Sequence, residues 1–376
     1  MKTTFPIYII GAGLFGMVIA ERLAFHGIEC VIIEKSSHIG GNCASYIDEH
    51  TGIEIHRYGS HIFHTSDERV WNYINQFGSF NDYIHHVQIN TGTQIYPLPI
   101  SLATINSFFR KAFSPREAHD FITAKLPKLK SINNLEEKAL SSVGKELYEA
   151  FIKGYTQKQW GKAPHLLPEE IINRLPVRFD YNTRYFSDKY EGIPTEGYDT
   201  LFQKMVADPL IKIHLNCDFF DIRKELAPGM IVFTGAIDEF FDYRFGRLEY
   251  RYVRFVHEKH DIADFQGNSV INYGSPEIPY TRIHEFKHYH PEKNYIPETV
   301  ICKEFSCDHT QGGRMAYPVR TQKNLGIYRQ YANLAQVNPQ IIFGGRLGSY
   351  CYWDMDDTID AALTCFNEKI MPQLQS

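Results

Sequence analysis

The fold is indicated by Tyr8-Ile9-Ile10-Gly11-Ala12-Gly13-Leu14-Phe15-Gly16, an apolar run that leads into a glycine-rich turn. The run predicts a buried strand, and the segment after the turn predicts a helix. Gly11 allows a tight turn, Gly13 lets backbone approach a pyrophosphate, and Gly16 lets the helix pack closely on the strand. The N–H groups at the helix start then face an anion. The pattern indicates a dinucleotide-binding β-α-β unit, with a purely structural glycine turn as the alternative.

The sequence that follows supports the dinucleotide interpretation. Val31-Ile32-Ile33 predicts a second buried strand, and it ends in Glu34. This carboxylate lies 23 positions after Gly11, where a ribose-binding acid belongs in such units. A second glycine cluster, Gly40-Gly41-Asn42, comes soon afterwards.

A late glycine turn favours a long cofactor. Ile341-Ile342-Phe343 predicts a buried strand that enters Gly344-Gly345, and a helix is expected from about Met355. A FAD-binding fold commonly brings a second helix N-terminus to the cofactor in this way, so the two turns suit FAD better than NAD. The alternative is a surface turn with Asp354 as an ordinary N-cap.

Composition sets limits on the class of protein. The chain has 376 residues, 43% of them apolar, and a net charge of −5. It has no long basic run, which argues against nucleic acid as the main partner. No stretch approaches the ~18 apolar residues that a membrane span needs. The seven cysteines show no CxxC pair, so reduced thiols in a cytoplasm are the simplest interpretation. Most of the 24 Tyr and 26 Phe are expected to fill cores.

The remaining sequence predicts an α/β chain. Residues 65–77 carry an N-cap and helical spacing, and residues 101–175 are mostly helical, with Leu135–Tyr155 as a periodic segment. Short strands are expected from 210 to 256, and antiparallel strands across 268–305. The predicted domains are a discontinuous Rossmann-like FAD-binding domain (1–77, 195–240 and 318–376), an inserted helical bundle (78–175) and an antiparallel sheet domain (176–194 and 241–317).

At this point the motifs resemble those of the bacterial UDP-galactopyranose mutases over nearly the whole chain. The resemblance rests on motifs in the family's order, namely Gly11-Ala-Gly-Leu-Phe-Gly16, Ile39-Gly-Gly-Asn42, Tyr58-Gly-Ser-His-Ile-Phe-His-Thr65, Gly144-Lys-Glu-Leu-Tyr-Glu-Ala-Phe151, Gly154-Tyr-Thr-Gln-Lys-Gln-Trp160, Arg174-Leu-Pro-Val-Arg-Phe179, Pro279-Tyr-Thr-Arg-Ile283 and Gly345-Arg-Leu-Gly-Ser-Tyr350. The family interconverts the pyranose and furanose forms of UDP-galactose. The resemblance implies reduced FAD, whose N5 attacks the anomeric carbon and forms a flavin–sugar iminium.

The resemblance also implies roles for individual residues. Arg174, on a mobile loop, and Arg282 would clamp the diphosphate, and His61 would contact and tune the flavin. These three are the predicted catalytic residues. The predicted cofactor-binding residues are Gly11, Gly13, Leu14, Phe15, Gly16, Glu34, Lys35, Gly41, Asn42, His61, Phe219, Arg346, Asp354 and Met355. The predicted substrate-binding residues are Phe151, Tyr155, Thr156, Trp160, Arg174, Tyr185, Asn272, Arg282, Tyr317, Tyr352 and His85. Tyr155 is expected to stack on uracil. His61 and His64 could suggest a metal, but no third ligand is placed beside them, so no metal is predicted.

Three positions depart from the family pattern. Ser60 stands where the family commonly has proline, His85 replaces an asparagine near the galactose, and Arg57 replaces a small apolar residue. Because all three fall on the sugar side, the sugar could be a modified one, such as N-acetylgalactosamine.

Three functions remain open from the sequence: the mutase, a flavin oxidoreductase of the amine-oxidase type, and a non-enzymatic nucleotide-binding protein. The implied arginine–tyrosine clamp favours the mutase, because an amine oxidase needs no such grip on a diphosphate. A UDP-sugar is the implied small-molecule partner, and the resemblance implies a cytoplasmic homodimer.

Overall fold

The computed structural model describes residues 5–174 and 177–375, and for Asn173 and Arg174 it describes the backbone alone. The strands in these ranges are β1 Ile7–Ile10, β2 Cys30–Ile33, β3 Ser45–Ile47, β4 Glu54–His56, β5 Phe63–Thr65, β6 Val87–Asn90, β7 Ile95–Leu98, β8 Tyr190–Gly192, β9 Ile211–His214, β10 Met230–Phe233, β11 Tyr250–His260, β12 Val270–Tyr273, β13 Arg282–Glu285, β14 Thr299–Cys307, β15 Arg314–Pro318 and β16 Ile341–Phe343.

The α-helices are α1 Leu14–Phe25, α2 Glu68–Ile74, α3 Leu102–Phe109, α4 Pro115–Thr123, α5 Leu135–Leu147, α6 Gly154–Trp160, α7 Gly197–Met205, α8 Phe219–Ile222, α9 Ile237–Phe240, α10 Gln322–Gln336, α11 Gly345–Gly348, α12 Met355–Cys365 and α13 Met371–Gln375. Among the described residues, no helix combines the length and the apolar character that crossing a bilayer requires.

A five-stranded parallel sheet forms the Rossmann-like part, in the order β16-β10-β1-β2-β9. Except for the edge strand β9, its strands are short apolar runs, as expected for parallel strands that are covered on both faces. Helix α1 follows β1 and packs against β2 and α12, so its apolar side chains lie in the largest core cluster. The strands of the first and last predicted β-strand–turn–helix units therefore belong to one sheet, with β10 between them, and their helices α1 and α12 pack together.

A second sheet has seven strands in the order β15-β11-β14-β13-β12-β6-β7. Its pairs are antiparallel except for β12 and β6, which run parallel. The Rossmann-like α/β class with an antiparallel sheet, predicted from the sequence, is confirmed. The domain boundaries stay a prediction.

Two of the seven strands, β6 and β7, come from residues 78–175, where the sequence predicted a helical bundle. Val87 and Ile89 alternate with polar residues and are buried, and β6 pairs with both β7 and β12. Four residues are too few for a local pattern to stand out from the helical sequence around them. The range therefore contains helices together with the edge of the sheet.

The segment predicted as one helical run, Leu135–Tyr155, is broken in the structure. Gly144 has φ of 75°, in the left-handed region, and interrupts the helical path inside α5. A π-helical turn, Tyr148–Lys153, follows and leads directly into α6. This path brings Phe151 and the residues of α6 to the cavity described below.

Candidate functional site

A cavity of about 2020 Å³ lies between the carboxyl end of the parallel sheet, the helical segment and the seven-stranded sheet. Small-molecule pockets usually enclose about 300–1,000 Å³, so this cavity has room for more than one ligand. It is lined by every predicted site residue with a described side chain except Gly16. The side chain of Arg174 lies outside the described residues. The structure thus gathers residues from positions 11 to 355 in one space, and their roles stay a prediction.

The N-terminal glycine turn forms one end of the cavity. Gly11 has φ of 104°, and a Cβ at Gly16 would lie 2.2 Å from the Gly11 carbonyl oxygen. A Cβ at Gly41 would lie 2.8 Å from Gly13 Cα, because the two glycine loops touch there. Gly11 thus takes a turn conformation that other residues avoid, and Gly16 allows close helix–strand packing. Backbone is left accessible to a ligand at this end of the cavity.

Glu34, at the end of β2, connects this turn to the next loop. One carboxylate oxygen accepts the Ala12 N–H at 2.8 Å, and the other accepts the Ser36 N–H at 2.7 Å. An ionised carboxylate has about four acceptor positions, so Glu34 can still accept from ribose hydroxyls. The glycines and Glu34 together fit the adenosine part of a dinucleotide.

The late glycine turn lies against the first one. A Cβ at Gly344 would meet the Phe15 ring at 2.2 Å, and Gly345 has φ of 70°. Arg346 donates to the Trp353 carbonyl and lies 5.0 Å from the centre of the Tyr352 ring. The first residue of α12, Met355, lines the cavity together with Leu14, the first residue of α1. Two helix N-termini therefore reach the same space, which suits a cofactor with a pyrophosphate.

Arg282 is the central cation of the opposite end. It begins β13, donates to the Tyr155 hydroxyl, and its Nε lies 3.4 Å from a Glu304 oxygen. Burial works to lower the pKa of Arg282, but the Glu304 carboxylate and nearby phenols raise it overall. Arg282 is therefore a permanent positive charge at the cavity, which suits an anionic ligand.

Tyrosines surround this cation. Tyr317 and Tyr352 stack with ring centres 5.2 Å apart, and Tyr317 also lies 6.1 Å from Trp160. Burial raises the pKa of Tyr317 and of Tyr155, so both phenols stay neutral. A neutral phenol can donate a hydrogen bond to a phosphate oxygen without adding charge.

Helix α6 carries three of the predicted substrate-binding residues, Tyr155, Thr156 and Trp160, and two cations fix its position. Lys158 Nζ donates to the carbonyls of Ser275, Ile278 and Tyr280 at 2.9–3.0 Å. Arg251, on β11, donates to the Gln159 carbonyl at 3.2 Å. Lys158 thus joins α6 to the loop that enters β13, and Arg251 joins α6 to the sheet. The expected stacking of Tyr155 on uracil stays a prediction.

His61 presents a defined ring nitrogen to the cavity. Its Nδ1 lies 2.9 Å from the Gly59 carbonyl, so this nitrogen carries the hydrogen. Burial lowers the pKa of His61 to about 3, so the ring is neutral and its Nε2 is an acceptor. This imidazole can accept a hydrogen bond from a donor in the cavity. His64 instead bonds Asp188 at 2.8 Å and stacks on Phe186.

Arg57, Ser60 and His85, the three positions predicted to depart from the family pattern, all line the cavity. The Arg57 guanidinium lies 4.4 Å from the centre of the Tyr46 ring. His85 bonds the Tyr83 hydroxyl at 3.0 Å, and burial lowers its pKa to about 3. Ser60 bonds two buried side chains that are described below.

The cavity also contains residues that the sequence did not reveal. Arg314, on β15, donates to the Asn42 side chain and lies 4.1 Å from the centre of the Tyr58 ring. Its partner is 272 positions away, and no motif surrounds it, so only the folded chain identifies it. Elsewhere in the described residues, Asp264, Glu285 and His288 form a group that could hold a metal ion, and none of them lines the cavity.

Comparison with known proteins identifies relatives over the whole fold. The family model for UDP-galactopyranose mutase matches residues 150–352, and the model for an NAD(P)-binding Rossmann-like domain matches residues 9–77. Escherichia coli dTDP-fucopyranose mutase is 40% identical over 96% of this chain and 97% of its own length. A Klebsiella pneumoniae protein named as a probable UDP-galactopyranose mutase is 41% identical over 96% of this chain and 94% of its own.

A solved structure of reduced UDP-galactopyranose mutase has the same fold, with a TM-score of 0.77 at 15% identity. That match covers 99% of this chain and 95% of the other. The family model spans more than half of the chain, and the 40–41% identities extend over nearly all of it. The cavity joins a dinucleotide turn to a cluster of arginine and tyrosines, and the chain belongs to the UDP-galactopyranose mutase family of isomerases.

Proposed function

We propose that this chain interconverts UDP-galactopyranose and UDP-galactofuranose with the help of reduced FAD. The observation that carries the proposal is the single cavity, in which both glycine turns adjoin the Arg282–tyrosine cluster. A nucleotide sugar held at that cluster would have its anomeric carbon directed towards a flavin anchored by the turns. A dinucleotide enzyme without a diphosphate substrate would have no use for this second, cationic end.

The Arg282 end would bind the diphosphate and stabilise it as it leaves. Charge develops on the diphosphate when the bond to the anomeric carbon breaks, and a fixed cation stabilises that charge most where water is excluded. Tyr185, Tyr317 and Tyr352 would add neutral hydrogen-bond donors. These would keep UDP in the site after it leaves the sugar, and would still let it attack the sugar again. Arg174, in the same role, would be the second guanidinium.

The glycine-turn end would hold the cofactor. Glu34 would accept from the ribose, and the starts of α1 and α12 would face the pyrophosphate. Bound reduced FAD would supply N5 as a nucleophile towards the anomeric carbon. His61, neutral and with Nε2 as an acceptor, would receive a hydrogen bond from the flavin or the sugar.

A second candidate is a mutase for another nucleotide sugar. The identity to E. coli dTDP-fucopyranose mutase equals that to the galactose relative in degree and extent. Arg57, Ser60 and His85 also line the cavity where the family pattern has other residues. A 6-deoxy sugar or an N-acetylated galactose would keep the diphosphate grip and change only the sugar contacts.

Product analysis tests the proposal. Purified protein with FAD is incubated with UDP-galactofuranose, its N-acetyl analogue and a dTDP-fucose, with and without dithionite. We expect pyranose product only when the flavin is reduced, and no reductant consumed per turnover. Stoichiometric use of reductant or oxygen would favour an oxidoreductase. If the protein strongly prefers one of the two other nucleotide sugars, that sugar and not galactose is the substrate.

Arg174 variants test the diphosphate clamp in the same assay. Arg174→Ala should keep the flavin spectrum and lose nearly all turnover. Arg174→Lys should also be poor, because a point charge does not reproduce a bidentate fork. Near-normal turnover in Arg174→Ala would remove this residue from the mechanism. A homodimer and a cytoplasmic location stay predictions, and the former can be checked by analytical ultracentrifugation.

A further inference from the structure

Ser60 is the cavity-facing end of a buried chain of hydrogen bonds. Its Oγ bonds both His284 Nδ1 and the Tyr289 hydroxyl, and His284 Nε2 lies 3.1 Å from a Glu304 oxygen. His284, Tyr289 and Glu304 are buried, and of the four side chains only Ser60 lines the cavity. The chain therefore ends at a hydroxyl that a ligand can touch.

The hydrogens in this chain have one consistent direction. Burial works to raise the pKa of Glu304, but Arg282 and His284 lower it overall, so Glu304 is an ionised acceptor. His284 must then carry its hydrogen on Nε2, and burial lowers its pKa, so the ring is neutral with Nδ1 as an acceptor. Ser60 gives its only hydrogen to that nitrogen.

The Tyr289 hydroxyl completes the arrangement. Because the Ser60 hydrogen already points to His284, the Tyr289 hydroxyl must donate to Ser60 Oγ. A serine oxygen has two acceptor positions, and this bond uses one of them. Ser60 therefore presents an acceptor, and no donor, to the cavity.

The register of the seven-stranded sheet places this acceptor next to the Arg282 end. Arg282 pairs with Asn272 on β12 and with Glu304 on β14, and His284 lies two residues further along β13. Residues at this spacing share one face of a sheet, so all four side chains are on the face that Ser60 covers. Asn272 Oδ1 is also buried without a partner among the described residues. A sugar attached to a diphosphate at Arg282 would meet these oxygens.

We propose that Ser60 determines sugar specificity by accepting a hydrogen bond from one sugar donor, a hydroxyl or an amide N–H. His284, Tyr289 and Glu304 are positioning residues that keep Ser60 an acceptor. The assignment rests on the proposed function and deepens it. Proline, the residue that the resemblance leads us to expect at this position in the family, would offer no side-chain acceptor. A nucleotide sugar without a donor at that position is discriminated against.

Calorimetry with UDP-galactose and its 2-, 3-, 4- and 6-deoxyfluoro analogues tests the assignment on the flavin-loaded protein. Fluorine cannot donate a hydrogen bond, so one analogue should bind wild type about tenfold or more weakly than the parent sugar. Ser60→Ala should bind that analogue and the parent alike, and Ser60→Thr, which keeps the oxygen, should restore the difference. The other analogues should be affected equally in both proteins.

A second variant tests the positioning chain. His284→Leu frees the Ser60 hydrogen, so the discriminated fluoro analogue should regain most of its lost affinity. Provided that the protein still isomerises UDP-galactose, two results would overturn the assignment. One is that Ser60→Ala weakens the binding of every ligand equally, and the other is that wild type binds all the fluoro analogues as tightly as UDP-galactose. Absence of isomerisation of UDP-galactose would overturn the proposed function, and with it this contact. A His284→Leu protein with wild-type discrimination would overturn the positioning role alone.

Discussion

Lys158 provides a sharp test of how the cavity is held together. Its ammonium donates to three carbonyls of the loop between β12 and β13, and so connects α6 to the strand that begins with Arg282. Lys158→Met keeps most of the side-chain volume and removes all three bonds. A bond to a charged group contributes about 1.5–3 kcal/mol. The three share one half-buried ammonium, and water recovers part of the loss, so we expect about 3–4 kcal/mol in total.

Urea unfolding near pH 7 measures this change, since burial lowers the pKa of Lys158 only to about 8 and the amine is still charged there. Hydrogen exchange should show faster exchange in residues 275–280 specifically. UDP should bind about tenfold more weakly, because the helix and the arginine strand lose their common anchor. Lys153→Met is the matched control, since the only partner of Lys153 among the described residues is the exposed Glu149, and it should change stability by less than about 0.5 kcal/mol.

Two outcomes would refute the reasoning. If Lys158→Met unfolds at the same urea concentration as Lys153→Met, the three carbonyl bonds contribute nothing measurable. If Lys158→Met is destabilised but binds UDP with wild-type affinity, the loop between β12 and β13 does not help to position the binding residues.

Three further predictions concern other parts of the fold. Gly16→Ala should destabilise the fold by about 2–3 kcal/mol and weaken FAD binding, because the new Cβ would lie 2.2 Å from the Gly11 carbonyl oxygen. Gly326→Ala, in a helix with open space around the position, should stabilise the fold by about 0.5–1 kcal/mol. Urea titration of both variants measures these changes. Burial works to lower the pKa of His288, but the Glu285 carboxylate, 3.4 Å from His288 Nε2, raises it overall. The stabilisation from this ion pair is therefore complete at low pH and is lost as the pH rises through the folded pKa. The Tm advantage of wild type over His288→Gln should therefore be larger near pH 6 than near pH 8.5, and an advantage that grows with pH would contradict this. Arg282→Lys should lower turnover about tenfold or more with the flavin spectrum unchanged, and wild-type rates would exclude the guanidinium geometry from the mechanism.

Much of the Rossmann-like part could be predicted because its signals are local. β1, β2, β10 and β16 are short apolar runs next to glycine turns, and each lies where the sequence indicates. The cap at Ser114 and the proline after it begin α4 as expected. Such elements are specified by side chains within a few residues of one another, so reading along the chain suffices.

The parts that were missed depend on distant partners. Gly144 breaks a helix whose apolar spacing is otherwise regular, and a glycine alone does not show which conformation it takes. The bonds of Lys158 go to backbone carbonyls, which carry no residue identity and so leave no pattern in the sequence. Ser60 and His284 are 224 positions apart, and only the folded chain brings them together. Motifs proposed the candidate site residues, whereas the contacts that orient their side chains required the fold.

The carboxylate of Glu34 has a consequence for how the cofactor comes and goes. By bonding Ala12 on one side and Ser36 on the other, it braces both loops with the protein's own atoms. The conformational entropy of these loops is therefore lost during folding and not on binding. A dinucleotide that binds here has no loop-ordering cost to offset, so its affinity is higher. A binding site that is already formed in the free protein can release one cofactor molecule and bind another without refolding. If the cofactor binds here as proposed, it should therefore load reversibly, and its supply would set the active fraction.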